Sequence, residues 1–219
     1  MGIVELLSTY GEKYWQALLV TWEYTAVSFA LALVLGLVVT VLRVCPIRPL
    51  RVVGDFYVQV FRNIPGASLL IVLVYALPYL GALFAYQTCV ILAITLIGAA
   101  FASEYLMTGI NTIAPGQIEA ARSLGFSFGK MLRFVVIPQA LRSAILPITN
   151  LAIAMMLTTS LASQVPLNPT DLTGIVSWIN TRSTGGITAF FISAVGYVLT
   201  AVVIARVGNF VDKKVRVVR

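Results

Sequence analysis

The sequence predicts an all-α membrane protein of five transmembrane helices, on three observations. Only 11% of its 219 residues are charged, against about 25% in soluble domains, and mean hydropathy is +0.96, so the chain cannot coat a water-soluble globule with polar surface. Five apolar stretches reach the about 20 residues that a helix needs to cross roughly 30 Å of hydrocarbon. The alternating stretches of about ten residues that would mark barrel strands are absent.

The spans are expected at 17–42, 56–80, 88–111, 141–163 and 188–210, within one membrane domain covering 1–219. Each is bounded by charge, Gly or Pro, and is apolar around its circumference, unlike a one-faced surface helix. Pro147 in the fourth span predicts a kink, because its missing N–H frees a carbonyl. Glu5, Glu12 and Lys13 precede the first span without a basic n-region or a small-residue cleavage site, so that span is expected to be retained and not cleaved as a leader.

Orientation follows from the basic residues. Arg43, Arg48, Arg51, Arg62, Arg122, Lys130, Arg133, Arg142, Arg206, Lys213, Lys214, Arg216 and Arg219 fall on one side, and only Lys13 and Arg182 on the other. The positive-inside rule then places the N-terminus outside and the C-terminus inside, as an odd number of spans requires. The net charge of +7 therefore reads as topology and not as a nucleic-acid footprint. The chain lacks histidine, and Cys45 and Cys89 suggest neither a disulfide nor a metal site.

Two connections are longer than turns. The external one, 164–187, carries Leu172, Ile175, Val176, Trp178 and Ile179 at helical spacing and is expected to lie in the membrane interface. The cytoplasmic one, 112–140, predicts a helix from Pro115 with an apolar stripe of Ile118, Ala121 and Leu124, a stop at Gly125, and a second short helix from near Ser127 that Pro138 breaks. A helix–Gly–helix unit of this kind offers an apolar ridge to a groove on a soluble partner.

Within that loop, Glu119-Ala120-Ala121, three residues, Gly125, nine residues, then Val135-Val136-Ile137-Pro138 resembles the EAA loop of bacterial ABC-importer permeases. Phe61-Arg62-Asn63-Ile64-Pro65, Ala102-Ser103-Glu104 and Thr159-Ser160-Leu161-Ala162 are similar to segments of the polar-amino-acid branch (histidine, glutamate, glutamine, arginine and opine permeases). The resemblance spans about Ala17 to Phe210. It implies a cytoplasmic EAA coupling helix contacting an ATPase through Glu119, Ala120, Ala121, Gly125 and Pro138. It further implies two ATP-binding-cassette ATPases that carry the ATP and magnesium, a second permease, an external solute-binding protein and a place in the bacterial cytoplasmic (inner) membrane. Met107-Thr108 and Leu157-Thr158 replace the Arg-Gly and Lys-Asp pairs common in that branch, which favours a heterodimer whose partner permease supplies the charges.

Candidate residues of a translocation path are Glu104, Thr158, Thr159 and Ser160. An ionisable group two turns inside the third span should face a partner or a wet cavity, so Glu104 either binds solute or pairs with Arg62 or Arg142. The three hydroxyls either line the path or bond carbonyls one turn back. Gly125–Lys130 lacks the spacing and the hydroxyl of a phosphate loop, so no catalysis and no cofactor are expected on this chain. The alternatives are an ATP-independent carrier or channel for small polar solutes and a non-transporting anchor for an ATPase.

Overall fold

The computed structural model describes residues 2–215, and among them every regular element is helical. Helix α1 spans Ile3–Val44, starting well before Ala17 because Leu6 and Tyr14 bury against Leu172, Ile175 and Ile179 of the 164–187 connection. It ends where Cys45, ahead of Pro46, is forced extended (φ −67°, ψ 153°).

The second expected span, 56–80, is not one helix. Helix α2 (Arg48–Asn63) stops at Ile64, extended before Pro65 (φ −81°, ψ 131°), and α3 (Gly66–Ile71) runs on through Val72–Ala76 and Leu77–Leu80. The two halves meet at 102°. The apolar run hid this break because hydropathy does not register the clash that a proline imposes on the residue before it.

Helix α4 (Tyr86–Ile110) is the third span. The 112–140 connection forms α5 (Pro115–Ser123) and α6 (Phe128–Met131). It then passes through a π-helical turn, Leu132–Val136, directly into α7 (Ile137–Ser143). Pro138 therefore does not break the helix. Wide turns precede both Pro78 and Pro138, and the extra residue relieves the collision of a proline ring with the carbonyl four positions back.

The fourth span begins at Ile145, as α8 (Ile145–Thr158), and tightens into a 3₁₀ segment, Thr159–Gln164. The kink expected at Pro147 falls at Ala144 (φ −94°, ψ 1°), whose N–H serves the Ala140 and Leu141 carbonyls. Helix α9 (Gly174–Asn180) lies in the 164–187 connection, with Leu172, Ile175 and Ile179 buried against α1 and α10 (Gly186–Val215), so it is packed within the fold. Arg216 and Arg219 lie outside the described residues.

The core is the α1–α4 contact. Small residues allow it: a Cβ at Gly36 would lie 2.6 Å from Ala102 Cβ and 2.9 Å from the Ala99 carbonyl, and one at Gly98 would lie 3.1 Å from Ala32 Cβ. Close backbone approach of this kind substitutes for the hydrophobic drive that lipid cannot supply.

Candidate functional site

Two regions hold the candidate residues. The first is the helix–Gly–helix unit. Its turn is a Schellman closure: Phe126 N–H donates to the Ala121 carbonyl (3.1 Å) and Gly125 N–H to the Arg122 carbonyl (2.9 Å), with Gly125 at φ +74°. A glycine there avoids the steric cost of the left-handed region.

The apolar stripe on α5 divides. Ala121 is buried and Ile118 half-buried against Ile113, Met131, Leu132 and Val136, whereas Leu124 is 76% exposed. The outward surface is instead Glu119, Ala120, Ser123 and Leu124, beside exposed Arg122 and Lys130. Pro138 lies beyond this surface, half-buried in the first turn of α7.

The same cluster packs against Val41 and Val44 of α1 and Ile110 of α4. A Cβ at Gly109 would meet the Ala140 carbonyl oxygen at 2.5 Å, and Thr112 Oγ1 donates to Ser143 Oγ (3.2 Å). The unit is thus joined to the ends of α1, α4 and α7, and a force on α5 reaches all three.

The second region is a polar ladder along α1, α2 and α4. Thr40 Oγ1 lies 2.7 Å from the Gly36 carbonyl and 3.1 Å from Ser103 Oγ. Arg43 Nη1 donates to Ser103 Oγ at 3.1 Å and pairs with Glu104 Oε1 at 2.8 Å, while its Nε pairs with Asp55 at 2.8 Å. Arg62 Nη1 meets Glu104 Oε2 at 3.0 Å. Of the two partners that sequence offered Glu104, the structure brings Arg62; Arg142 forms no ion pair among the described residues. Arg43 and Asp55 are the members that sequence reasoning missed, because Arg43 had been spent as a topology signal.

Two of the three candidate hydroxyls of the fourth span turn back on their own helix. Thr158 Oγ1 donates to the Ala154 carbonyl (2.7 Å) and Thr159 Oγ1 to the Met156 carbonyl (2.6 Å). Thr159 is fully buried; Thr158 and Ser160 are half-buried. An exposed or half-exposed row of Asn150, Ala154, Thr158 and Leu161 runs along this helix. A lipid-facing amide such as Asn150 is costly, so this row suits a protein partner or water.

At the opposite end, Asp171 is fully buried. It accepts from the N–H groups of Thr173 (3.0 Å) and Gly174 (3.1 Å) and from Tyr197 Oη (3.1 Å). Burial pushes its carboxyl above the ordinary range, and these hydrogen bonds oppose the shift without cancelling it. Leu172 N–H donates to Thr21 Oγ1 (3.1 Å), which ties the 164–187 connection to α1.

Among the described residues no cluster of His, Cys, Asp or Glu can hold a metal ion.

The profile of the family described as binding-protein-dependent transport system inner membrane component matches residues 32–217. The glutamate transport system permease protein GluC of Corynebacterium efficiens is 32% identical over 86% of this chain and 88% of its own length. The probable glutamine ABC transporter permease protein GlnP of Bacillus subtilis is 32% identical over 75% and 77%. The arginine transport system permease protein ArtQ of Bacillus subtilis is 27% identical over 92% and 91%. In fold, the chain is similar to one in the crystal structure of an amino acid ABC transporter with histidines, at a TM-score of 0.88 and 23% identity over 98% of this chain and 99% of that one. A chain of the inward-facing MetNI methionine ABC transporter gives a TM-score of 0.73 at 21% identity, over 97% and 99%.

Proposed function

The chain belongs to the family of binding-protein-dependent transport system inner membrane components, and from that premise we propose that it is the permease subunit of an ATP-driven importer for a polar amino acid or related solute. The observation that supports this reading best is the helix–Gly–helix unit, which presents Glu119, Ala120 and Leu124 outward while Ala121 and Ile118 hold it to the ends of α1 and α4. A soluble ATPase that grips the outward surface moves those helix ends. The coupling residues are Glu119, Ala120, Ala121, Gly125 and Pro138.

ATP hydrolysis and its magnesium belong to two partner ATPases. Their nucleotide states bind the two geometries of the permease pair with different affinity, and that difference drives the change of access. The N-terminus is outside, the C-terminus is in the cytoplasm, and the chain sits in the bacterial inner membrane with an external solute-binding protein. Its second half is a different permease, which supplies the charges that Met107-Thr108 and Leu157-Thr158 lack.

The test is purification of the tagged chain from its native membrane in mild detergent, followed by identification and counting of what accompanies it. Two ATPase copies and one unlike permease are expected. Two copies of this chain would leave the importer reading standing and refute the heterodimer. A chain that emerges alone after cross-linking in the membrane would refute the reading.

A further inference from the structure

The corner between α1 and α2 carries four arginines, and the fold uses two of them. Arg43 pairs with Asp55 and Glu104, and Arg62 with Glu104. Arg48 and Arg51, in the first turn of α2, are exposed and form no ion pair among the described residues. Three residues apart, they lie about 60° apart around the helix and about 4.5 Å apart along it, so both guanidinium forks can reach the oxygens of one phosphate. The acid nearest to them on this helix, Asp55, is held by Arg43 Nε at 2.8 Å.

The same helix leaves an apolar side open. Val52, Val53, Phe56 and Val60 are exposed, while Gly54 and Val58 face the fold. Val52 follows Arg48 by one turn, about 40° round the helix, so the free cations border the apolar side directly.

Depth in the membrane follows from what α2 touches. The 66–80 segment runs antiparallel to α4: Cys89 Sγ donates to the Leu73 carbonyl (3.6 Å), and a Cβ at Gly66 would lie 3.6 Å from Ile97 Cδ1. Helix α2 departs from that segment by 102°. Its second half stays at the level of the spans, because Tyr57 Oη donates to the Leu96 carbonyl of α4 (2.8 Å). Gly54 packs on Leu42 and Arg43, in the last turn of α1. The first turn of α2 therefore lies where α1 leaves the hydrocarbon, at the level of the lipid headgroups.

That placement selects the ligand. Water would satisfy the two arginines and leave Val52, Val53 and Phe56 uncovered. An acidic soluble protein would bring carboxylates without apolar cover at that depth. A phospholipid of net negative charge brings a phosphate and acyl chains together, which is what a basic, amphipathic helix at a leaflet attracts.

We propose that the first turn of α2 seats an anionic phospholipid, its phosphate between Arg48 and Arg51 and an acyl chain along Val52, Phe56 and Val60. The proposal stands on the membrane fold and is independent of the importer reading.

The test takes the complex purified in mild detergent through the tagged chain, strips its lipid, titrates it with phosphatidylglycerol and counts bound copies by native mass spectrometry. The wild type should retain one more phosphatidylglycerol per copy of this chain than the double variant Arg48→Gln/Arg51→Gln. Each single variant should raise the half-saturating concentration of that copy about fivefold. Phosphatidylcholine should not replace it, and Arg206→Gln, an equal loss of charge on α10, should shift nothing. A double variant that binds phosphatidylglycerol as the wild type does overturns the proposal, as does equal retention of phosphatidylcholine by the wild type. So does a double variant that loses a protein subunit while its lipid count is unchanged, since the arginines would then belong to a subunit contact.

Discussion

Replacing Glu104 by Gln removes the acid that joins α1, α2 and α4. Its carboxylate meets Arg43 at 2.8 Å and Arg62 at 3.0 Å, with side-chain exposures of 13% for Arg43, 30% for Glu104 and 37% for Arg62. Hydrogen bonds to charged groups contribute about 1.5–3 kcal/mol, and exposed ion pairs about 0.2–1 kcal/mol. The Arg43 contact belongs near the first range and the Arg62 contact in the second. Arg43 keeps Asp55 as a partner, which limits the loss. Glu104→Gln should therefore destabilise the chain by about 2 kcal/mol and Arg62→Gln by about 0.5 kcal/mol. Denaturant unfolding in detergent micelles, run as a double-mutant cycle, should give an Arg62–Glu104 coupling of no more than about 1 kcal/mol. A Glu104→Gln cost below about 0.5 kcal/mol, or a larger cost for Arg62→Gln than for Arg43→Gln, would refute the weighting by burial. Uptake measured on the same variant separates roles: a loss that tracks the folded fraction marks a brace, and a loss beyond it marks contact with solute.

Three further outcomes follow from particular residues. Gly125→Val forces a β-branched residue to φ +74°, so α5 should lose its fixed end at a cost of about 1–2 kcal/mol, and ATPase retention on the purified chain should fall while the five spans persist by circular dichroism. Gly36→Leu drives a side chain into Ala102 and the Ala99 carbonyl, and should lower stability by about 1–3 kcal/mol or more, read as earlier thermal aggregation. Asp171, its carboxyl raised above the ordinary 3.8, binds more protons folded than unfolded. Its contribution to stability is therefore lost as pH rises from about 4 through the raised value, and is level above it. The melting temperature of Asp171→Asn should fall less steeply than that of the wild type across that window.

Much of this fold was legible because a long apolar run bounded by charge has few other solutions in lipid. The helix–Gly–helix unit was legible because Pro115 and Gly125 each have one conformational use at a helix start and end. What stayed hidden was non-local. The extension of α1 to Ile3 depends on Leu6 and Tyr14 finding α9 and α10, and Arg43 meets Glu104 only after α1 and α4 have packed. The stripe on α5 misled for a related reason. Periodicity says that Ile118, Ala121 and Leu124 share a face, but the Schellman turn carries Leu124 out of the helix and into solvent.

In lipid, hydropathy cannot separate the buried face of a helix from its outer face, since both are apolar; size can. On α1 the buried positions include Ala17, Thr21, Thr25, Ser28, Ala32, Gly36 and Thr40, recurring every three or four residues, with Val20, Tyr24 and Val39 as larger exceptions, while the exposed ones include Trp15, Leu19, Trp22, Leu31, Val34 and Val38, with Ala26 and Ala30 as smaller exceptions. Small residues go inward because packing between helices rewards close backbone approach, and large ones go outward because lipid chains accommodate any shape. The inward hydroxyls of Thr21, Thr25 and Thr40 each return to a carbonyl one turn back, so the face stays satisfied before it meets α4. A reading that sorts each span by side-chain volume at helical period would have found this face, and with it the register that brings Ser103 and Glu104 to Arg43.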